Sequence, residues 1–397
     1  MNFLYACLKN SSDHIPTALN ALGHTVTVLR EHPFATMDLE NSLAVSDAQK
    51  ALCEGNYDYV ISDDYLISLS DLCQKFQVPY ISWIYDSPMA PLFHNSVFNQ
   101  VNRIFIFDSA LCNRLKQIGI PHVYYMPLAA NTAYADALAM TPEDKSRFSH
   151  DISFVGSLYE NNAYNEIRNK LPPEIMVPMN HYLMHMLLNY HEVRPWPTLP
   201  DYCVSFLLEN VSLNTSAIDR FQIPRNMYLG LIFLSKKLAE MERIVGLNTL
   251  AEQFPVDLYT GSSSEHVGIL NVHPPVNYYT NLGKVYRFSK INLNFTLPSI
   301  ETGVPMRIFN IMSYGGFVLS NYQKDIENIF TIGKDLVVFH DLGELKELTA
   351  YYLSHEEERQ EIARNGYERV KLHCTYEIRL KEILSICSKI SQEEQTL

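Results

Sequence analysis

The sequence predicts an α/β protein of two domains, each a parallel sheet covered by helices. Three observations point there. The chain has 397 residues, more than one hydrophobic core comfortably organises. Short apolar runs alternate with stretches of helical spacing in both halves. Composition turns polar between Thr141 and His150, as a surface linker does. An apolar content of 47% is enough to fill a core in each half.

In the first half, Phe3 to Cys7 reads as a strand, Asp13 to Leu22 as a helix and Thr25 to Leu29 as a second strand, a β-α-β opening. The turn Leu8 to Ser12 has no GxGxxG, so the nicotinamide-binding fingerprint is not supported. Asp47 to Cys53 and Asp71 to Phe76 have helical spacing, and Tyr57 to Ile61 and Tyr80 to Tyr85 are strand-like. Arg103 to Phe107 and Val123 to Met126 add two strands around a helix from Leu111 to Ile118. Alternation at this pitch implies a parallel sheet with both faces covered. Ligands of such sheets bind beyond the carboxyl ends of strands, where Asp86 follows Tyr80 to Tyr85. By residue type alone Asp86 reads equally as a capping aspartate.

In the second half, Ile152 to Val155 starts a new sheet and Gly156 makes the turn after it. Tyr164 to Gln253 is helical in pattern and reads as an insertion, cut by Pro172-Pro173 and by Pro195 to Pro200. Within it His181 and His185 have i, i+4 spacing, but no HExxH surrounds them, so a metal site there is rejected. Val256 to Tyr259 returns to strand and leads into the turn Thr260 to Ser264, with Gly261 able to let backbone approach a ligand. Lys284, Arg287 and Lys290 read as a solvated helix face. Asp335 to Phe339 is a strand, and Leu342 to Leu353, Glu356 to Val370 and Thr375 to Ile390 are helices.

The most informative stretch is Lys290 to Ser320. Ile291 to Phe295 is a strand alternating apolar residues with Asn, Gly303 and Pro305 shape a turn, Met306 to Tyr314 is a helix ended by Gly315-Gly316, and Phe317 to Ser320 is the next strand. Such a turn and helix N-terminus form an anion site, and Arg307 in the first helical turn adds a charge whose donors fork onto a diphosphate.

The run from Asn292 through Arg307 to Gly316-Phe317, with Ser320-Asn321-Tyr322, resembles the carboxy-terminal domain of CgeB-like glycosyltransferases of the two-domain GT-B fold. The resemblance implies two Rossmann-like domains facing a cleft, residues 1–145 for the acceptor and 146–375 for a nucleotide-sugar donor. It further implies a helical insertion at about 164–253 and a terminal helix, 376–397, returning to the first domain. It implies donor contacts at Gly156, Gly261, Thr302, Gly303, Arg307 and Asn310, and makes Asp86, in SWIYDSP, the catalytic or acceptor-side contact. Pro127 to Asn131 resembles the interdomain segment. Related retaining enzymes carry two acidic residues eight positions apart around the turn. Here those positions fall on Thr302, beside Glu301, and on Asn310, which hydrogen-bonds hydroxyls but carries no charge.

The implied function is metal-independent, retaining transfer of a sugar from a nucleoside diphosphate to a glycan, protein or small-molecule acceptor, with no cofactor beyond the donor substrate. A second reading, favoured by Asn310, is a protein that binds glycan or nucleotide sugar without turnover. No DxD pair stands at a strand end; Asp63-Asp64 is adjacent and reads as a turn cap. The formal charge of −13 disfavours nucleic acid as partner. Seven cysteines without a CxxC argue against a zinc ribbon or a disulfide framework. No apolar run approaches the roughly 20 residues of a membrane span, and the start MNFLYACLKNSS reads as a buried strand rather than a signal peptide, so a cytoplasmic protein is expected.

Overall fold

The computed structural model describes residues 1–9, 12–35, 42–188, 199–211, 223–230 and 234–396. They fall into two compact units, one built from residues 1–129 and 374–397, the other from residues within 130–373.

Six strands make the first sheet: β1 (Asn2–Leu8), β2 (Thr25–Phe34), β3 (Tyr59–Asp63), β4 (Tyr80–Ile84), β5 (Asn102–Ile106) and β6 (Val123–Tyr125). Their order is β2-β1-β3-β4-β5-β6, and every pair is parallel. All residues of β4 and β5 are buried, as expected of strands covered on both faces, and β5 carries Asn102 and Arg103 into that interior. The core joins Tyr5, Ile61, Trp83 and Phe105 to Leu380, Ile383 and Cys387 of the Tyr376–Thr396 helix. The last helix is therefore part of this unit's interior. Each such large apolar side chain contributes roughly 1.5–3 kcal/mol on burial.

The chain's direction across this sheet reverses between β1 and β3, and the carboxyl ends next to that point carry the acidic residues. Asp64 takes up a left-handed backbone (φ 57°), which aspartate tolerates. Its Oδ1 accepts from the amides of Tyr85 (2.8 Å) and Asp86 (3.3 Å). Asp63 accepts from the Tyr5 hydroxyl at 2.7 Å. Ser87 Oγ donates to Asp108 Oδ2 at 2.8 Å, and Asp108 caps the Ser109–Gln117 helix. Buried carboxylates thus fix the backbone from Tyr85 to Ser87. Burial, and then the negative charge of Asp86, push the Asp64 carboxyl up to about 7.

The second sheet comprises β7 (Ile152–Val155), β8 (Val256–Tyr259), β9 (Asn271–His273), β10 (Ile291–Asn294), β11 (Val318–Asn321) and β12 (Val337–Phe339). The order is β12-β11-β10-β7-β8-β9, all parallel. Direction reverses between β7 and β10, which creates the crevice where such sheets bind ligands. The two strands are tied in register by Ser153 Oγ donating to Asn292 Oδ1 at 3.0 Å. β9, three residues at the edge, gave no strand signal.

Two segments differ from the sequence expectation. The polar stretch Thr141 to His150 is not linker. Thr141 and Asp144 form a capping box that starts the Pro142–Phe148 helix, and Phe148 packs with Tyr259 and Val285. The second is the end of the helical region from 164 to 253. Its last helix, Ser235–Ala251, places Leu247 and Leu250 in the core of the second sheet, so it is the crossover between β7 and β8 rather than an insertion. Gly246 lets it approach, since a Cβ there would lie 2.6 Å from the Phe295 ring. All seven cysteines are free, and Cys53 alone among them is exposed. Among the described residues no helix is long and apolar enough to cross a membrane.

Two expectations follow from this packing. A carboxyl whose folded pKa is raised contributes stability fully below its unfolded pKa and loses it as pH rises through the folded value. Asp64→Asn keeps the acceptor for Tyr85 and Asp86, so it should gain stability relative to the native chain between pH 5 and pH 8, at up to about 1.4 kcal/mol per pH unit over the titration. Equal differences in urea midpoint at both pH values would remove Asp64 as the titrating group. In Gly246→Ala, improved helix propensity of about 1 kcal/mol is opposed by overpacking against a buried ring, about 1–3 kcal/mol. A lowered urea midpoint is expected, and a raised one would show that the Phe295 ring turns aside.

Candidate functional site

At the carboxyl ends of β7 and β10 the second unit brings two arginines to one place. Arg307, in the first turn of the Met306–Ser313 helix, donates from Nη1 to Asn294 Oδ1 at 3.0 Å. Its guanidinium carbon lies 5.1 Å from the centre of the Phe154 ring. Arg243, from the Ser235–Ala251 helix, stands 5.4 Å from the same ring and 4.5 Å from that of Tyr159. It donates to the Ser157 carbonyl (2.5 Å) and to the Phe295 carbonyl (3.1 Å). Burial, and then the nearby Arg307 charge, bring the Arg243 pKa down to about 10, which leaves it cationic at neutral pH. The oxygens that hold both groups in these contacts are neutral. The buried Glu242 carboxylate offsets part of the Arg243 charge, and an anion beside the half-buried Arg307 would offset the repulsion between the two cations.

Gly156 is explained by space. A Cβ there would stand 2.8 Å from Arg307 Nη2, so any side chain would displace the guanidinium. Beside it lies a pocket of about 390 Å³, lined by Gly156, Ser157, Tyr159, Thr260, Gly261 and Ser262 among others. Its two loops are sewn together. The Leu158 amide donates to Ser262 Oγ at 2.8 Å and the Ser263 amide to Glu160 Oε1 at 2.9 Å. Tyr159 sits in the left-handed region (φ 61°), a conformation a bulky residue adopts at a cost of order 1–3 kcal/mol, and it lays its ring against Arg243. A larger cavity of about 860 Å³ lies at the opposite, amino-terminal end of this sheet, beside Ser289-Lys290 and Gly315. The smaller one is assigned the chemistry because it opens at the carboxyl ends of the strands.

Of the residues singled out in the sequence, Gly156, Gly261 and Arg307 thus belong to one neighbourhood. Thr302 does not face it: its hydroxyl donates to Asp325 Oδ2 at 3.1 Å, and it is buried. Gly303 is buried in the same turn. Asn310, one helical turn after Arg307, hydrogen-bonds the Tyr278 phenol. Asn131 caps the Thr132–Ala137 helix by accepting from the Tyr134 amide at 3.0 Å. Lys290 pairs with Asp151 on the exposed face, as expected of it, whereas Lys284 is largely buried in an ion pair with Asp144 and so departs from the solvated role. His181 and His185 are exposed on their helix.

Asp86 belongs to the first unit. It is exposed at the end of β4, and desolvation by the surrounding protein raises its carboxyl pKa. Arg243 was missed by the sequence reading. A lone arginine within a mixed helix carries no local signal, and only the glycine one turn later, which lets the helix approach the strand ends, hints at its place.

Comparison with known proteins gives the same fold. The profile of the Glycosyl transferase-like family matches residues 245–385. No curated protein matches the sequence. Sucrose-phosphate synthase from Thermosynechococcus elongatus superposes with a TM-score of 0.56 at 9% identity, over 100% of this chain and 99% of that one. A glycosyltransferase from Rickettsia africae gives 0.53 at 11% identity, over 98% of each chain. HepE of Anabaena, in complex with UDP and glucose, gives 0.51 at 10% identity over 100% of both. The chain therefore has the GT-B fold of two Rossmann-like α/β domains, and its residues 245–385 are similar to the Glycosyl transferase-like family.

Proposed function

We propose that this protein transfers a sugar from a nucleoside diphosphate donor to an acceptor, with the donor's diphosphate seated at Arg307 and the buried Arg243 charge behind it. The observation that carries the proposal is the pair of guanidiniums at the topological switch point, held by neutral oxygens. A departing diphosphate gains negative charge as the glycosidic bond breaks, and fixed cations in a water-poor site stabilise that charge. Because their positions are set by Phe154, Asn294 and Phe295 before the donor arrives, little reorganisation is needed. Gly156 and Gly261 let backbone approach the nucleotide. Asn310 offers a neutral hydrogen bond where related enzymes use a carboxylate, and Asp86 is the acceptor-side contact.

The carboxy-terminal run from Asn292 to Tyr322 supports the CgeB-like subtype and, by resemblance, retention of configuration. Metal independence is part of this reading, supported by the cations, which would supply the diphosphate with the kind of charge that a bound magnesium supplies elsewhere. The second reading, binding without turnover, rests on Asn310 in place of an acidic residue.

UDP serves as the probe. Arg307→Ala should weaken UDP binding by about 1.5–3 kcal/mol, the range for a charge-assisted contact, and leave the melting temperature of the free protein nearly unchanged, since Arg307 is only half-buried. An unaltered dissociation constant by calorimetry would take Arg307 out of the donor site. With UDP-glucose, release of UDP should proceed without added magnesium or manganese, and NMR of the sugar product should show the donor's anomeric configuration. Binding heat with no released UDP would favour the second reading, and turnover that begins only on adding either metal would sink the metal-free mechanism.

A further inference from the structure

The outer edge of the second sheet carries a cluster that the proposed reaction does not use. His150 stands just before β7, Asp257 on β8 and His273 at the end of β9, so three neighbouring strands each supply one residue. Asp257 Oδ1 lies 2.7 Å from His273 Nε2 and 3.1 Å from His150 Nδ1. One donor atom from each residue lies within 4.8 Å of the other two. The Asp257 and His150 side chains are 8% and 9% exposed, whereas His273 is 33% exposed, which leaves one side open to solvent.

Both rings are held from behind. His150 Nε2 lies 2.7 Å from the Tyr259 hydroxyl, and the His273 ring stacks on Tyr259 with centroids 4.5 Å apart and planes 19° from parallel. A hydrogen bond on the far ring nitrogen is the arrangement that fixes the tautomer of a metal-ligating histidine. The Nδ1 of His150 in turn lies 3.1 Å from Asp257 Oδ1, so both histidines turn a ring nitrogen to one carboxylate oxygen.

We propose that His150, Asp257 and His273 bind one divalent cation of the zinc type, with water at a fourth position on the His273 side. Two imidazoles and one carboxylate are a borderline donor set that suits Zn²⁺ in tetrahedral geometry at about 2.0–2.2 Å per bond. Separations of 2.7 and 3.1 Å need to open by about 0.6 and 0.2 Å to reach the roughly 3.3 Å edge of such a tetrahedron. The ion is structural. It pins the three-residue edge strand β9, two residues before Pro275, a wall of the pocket beside Gly156 and Gly261. This site does not depend on the function proposed above, and its role differs from a metal at the donor diphosphate.

The test uses full-length protein without a histidine tag, stripped with chelator and dialysed, then titrated with zinc chloride by calorimetry and with cobalt chloride in the visible range. One equivalent of Zn²⁺ should bind with a rise in melting temperature, and Co²⁺ should give the intense absorption of a tetrahedral complex. His273→Gln, at a part-exposed edge position that tolerates change, should abolish both signals, while the exposed pair His181→Gln and His185→Gln should keep them. No saturable site in the native chain, or undiminished binding in His273→Gln, would overturn the proposal. So would loss of binding in the His181/His185 variant, since the ion would then sit on that helix.

Discussion

Two positive charges gathered at one phenyl ring organise the second domain. Phe154 and Phe295 follow from strands buried on both faces, and each does double duty at the strand ends. Phe154 offers its ring to both guanidiniums, while the Phe295 carbonyl accepts from Arg243. To bring Arg243 there the Ser235–Ala251 helix must lie unusually near the sheet, which Gly246 permits. To bring Arg307 there the turn after β7 must have no side chain, which Gly156 provides. Helix placement, the two glycines and the buried Asn294 all serve to hold the two cations together at the strand ends.

Much of this was legible in the sequence. Parallel strands buried on both faces announce themselves as apolar runs, and the glycine, proline and arginine of the Gly303 to Arg307 turn sit within five residues of one another. Gly156 and Gly261 were readable as turns after strands. What was not legible depends on residues brought together from afar. Arg243 has no local pattern around it. His150, Asp257 and His273 meet only because parallel pairing sets β7, β8 and β9 side by side, whereas the pair with helical spacing, His181 and His185, turned out to be exposed. The polar stretch around Thr141 read as linker because capping residues and linker residues have the same composition. Thr302 shows the converse: its position resembled a donor contact, but its hydroxyl has a buried aspartate to satisfy.

The first domain uses carboxylates as the second uses guanidiniums. Asp64 and Asp108 hold the backbone that carries Asp86, and the cost of burying Asp64 appears as its raised pKa. Both domains thus place polar, desolvated groups at the carboxyl ends of their strands, with opposite signs of charge.

The burial of the arginine pair also sets how salt acts on the protein. The chain as a whole carries a formal charge of −13, so its long-range field repels an anionic ligand in dilute buffer. Mobile ions damp that field beyond about 10 Å at 0.1 M ionic strength but reach the buried Arg243 guanidinium poorly. Moderate salt therefore lowers the barrier to approach while leaving the final contact largely intact. Association with a nucleotide should quicken as ionic strength rises from very low values, the reverse of the behaviour of proteins that draw in anions with an exposed basic face.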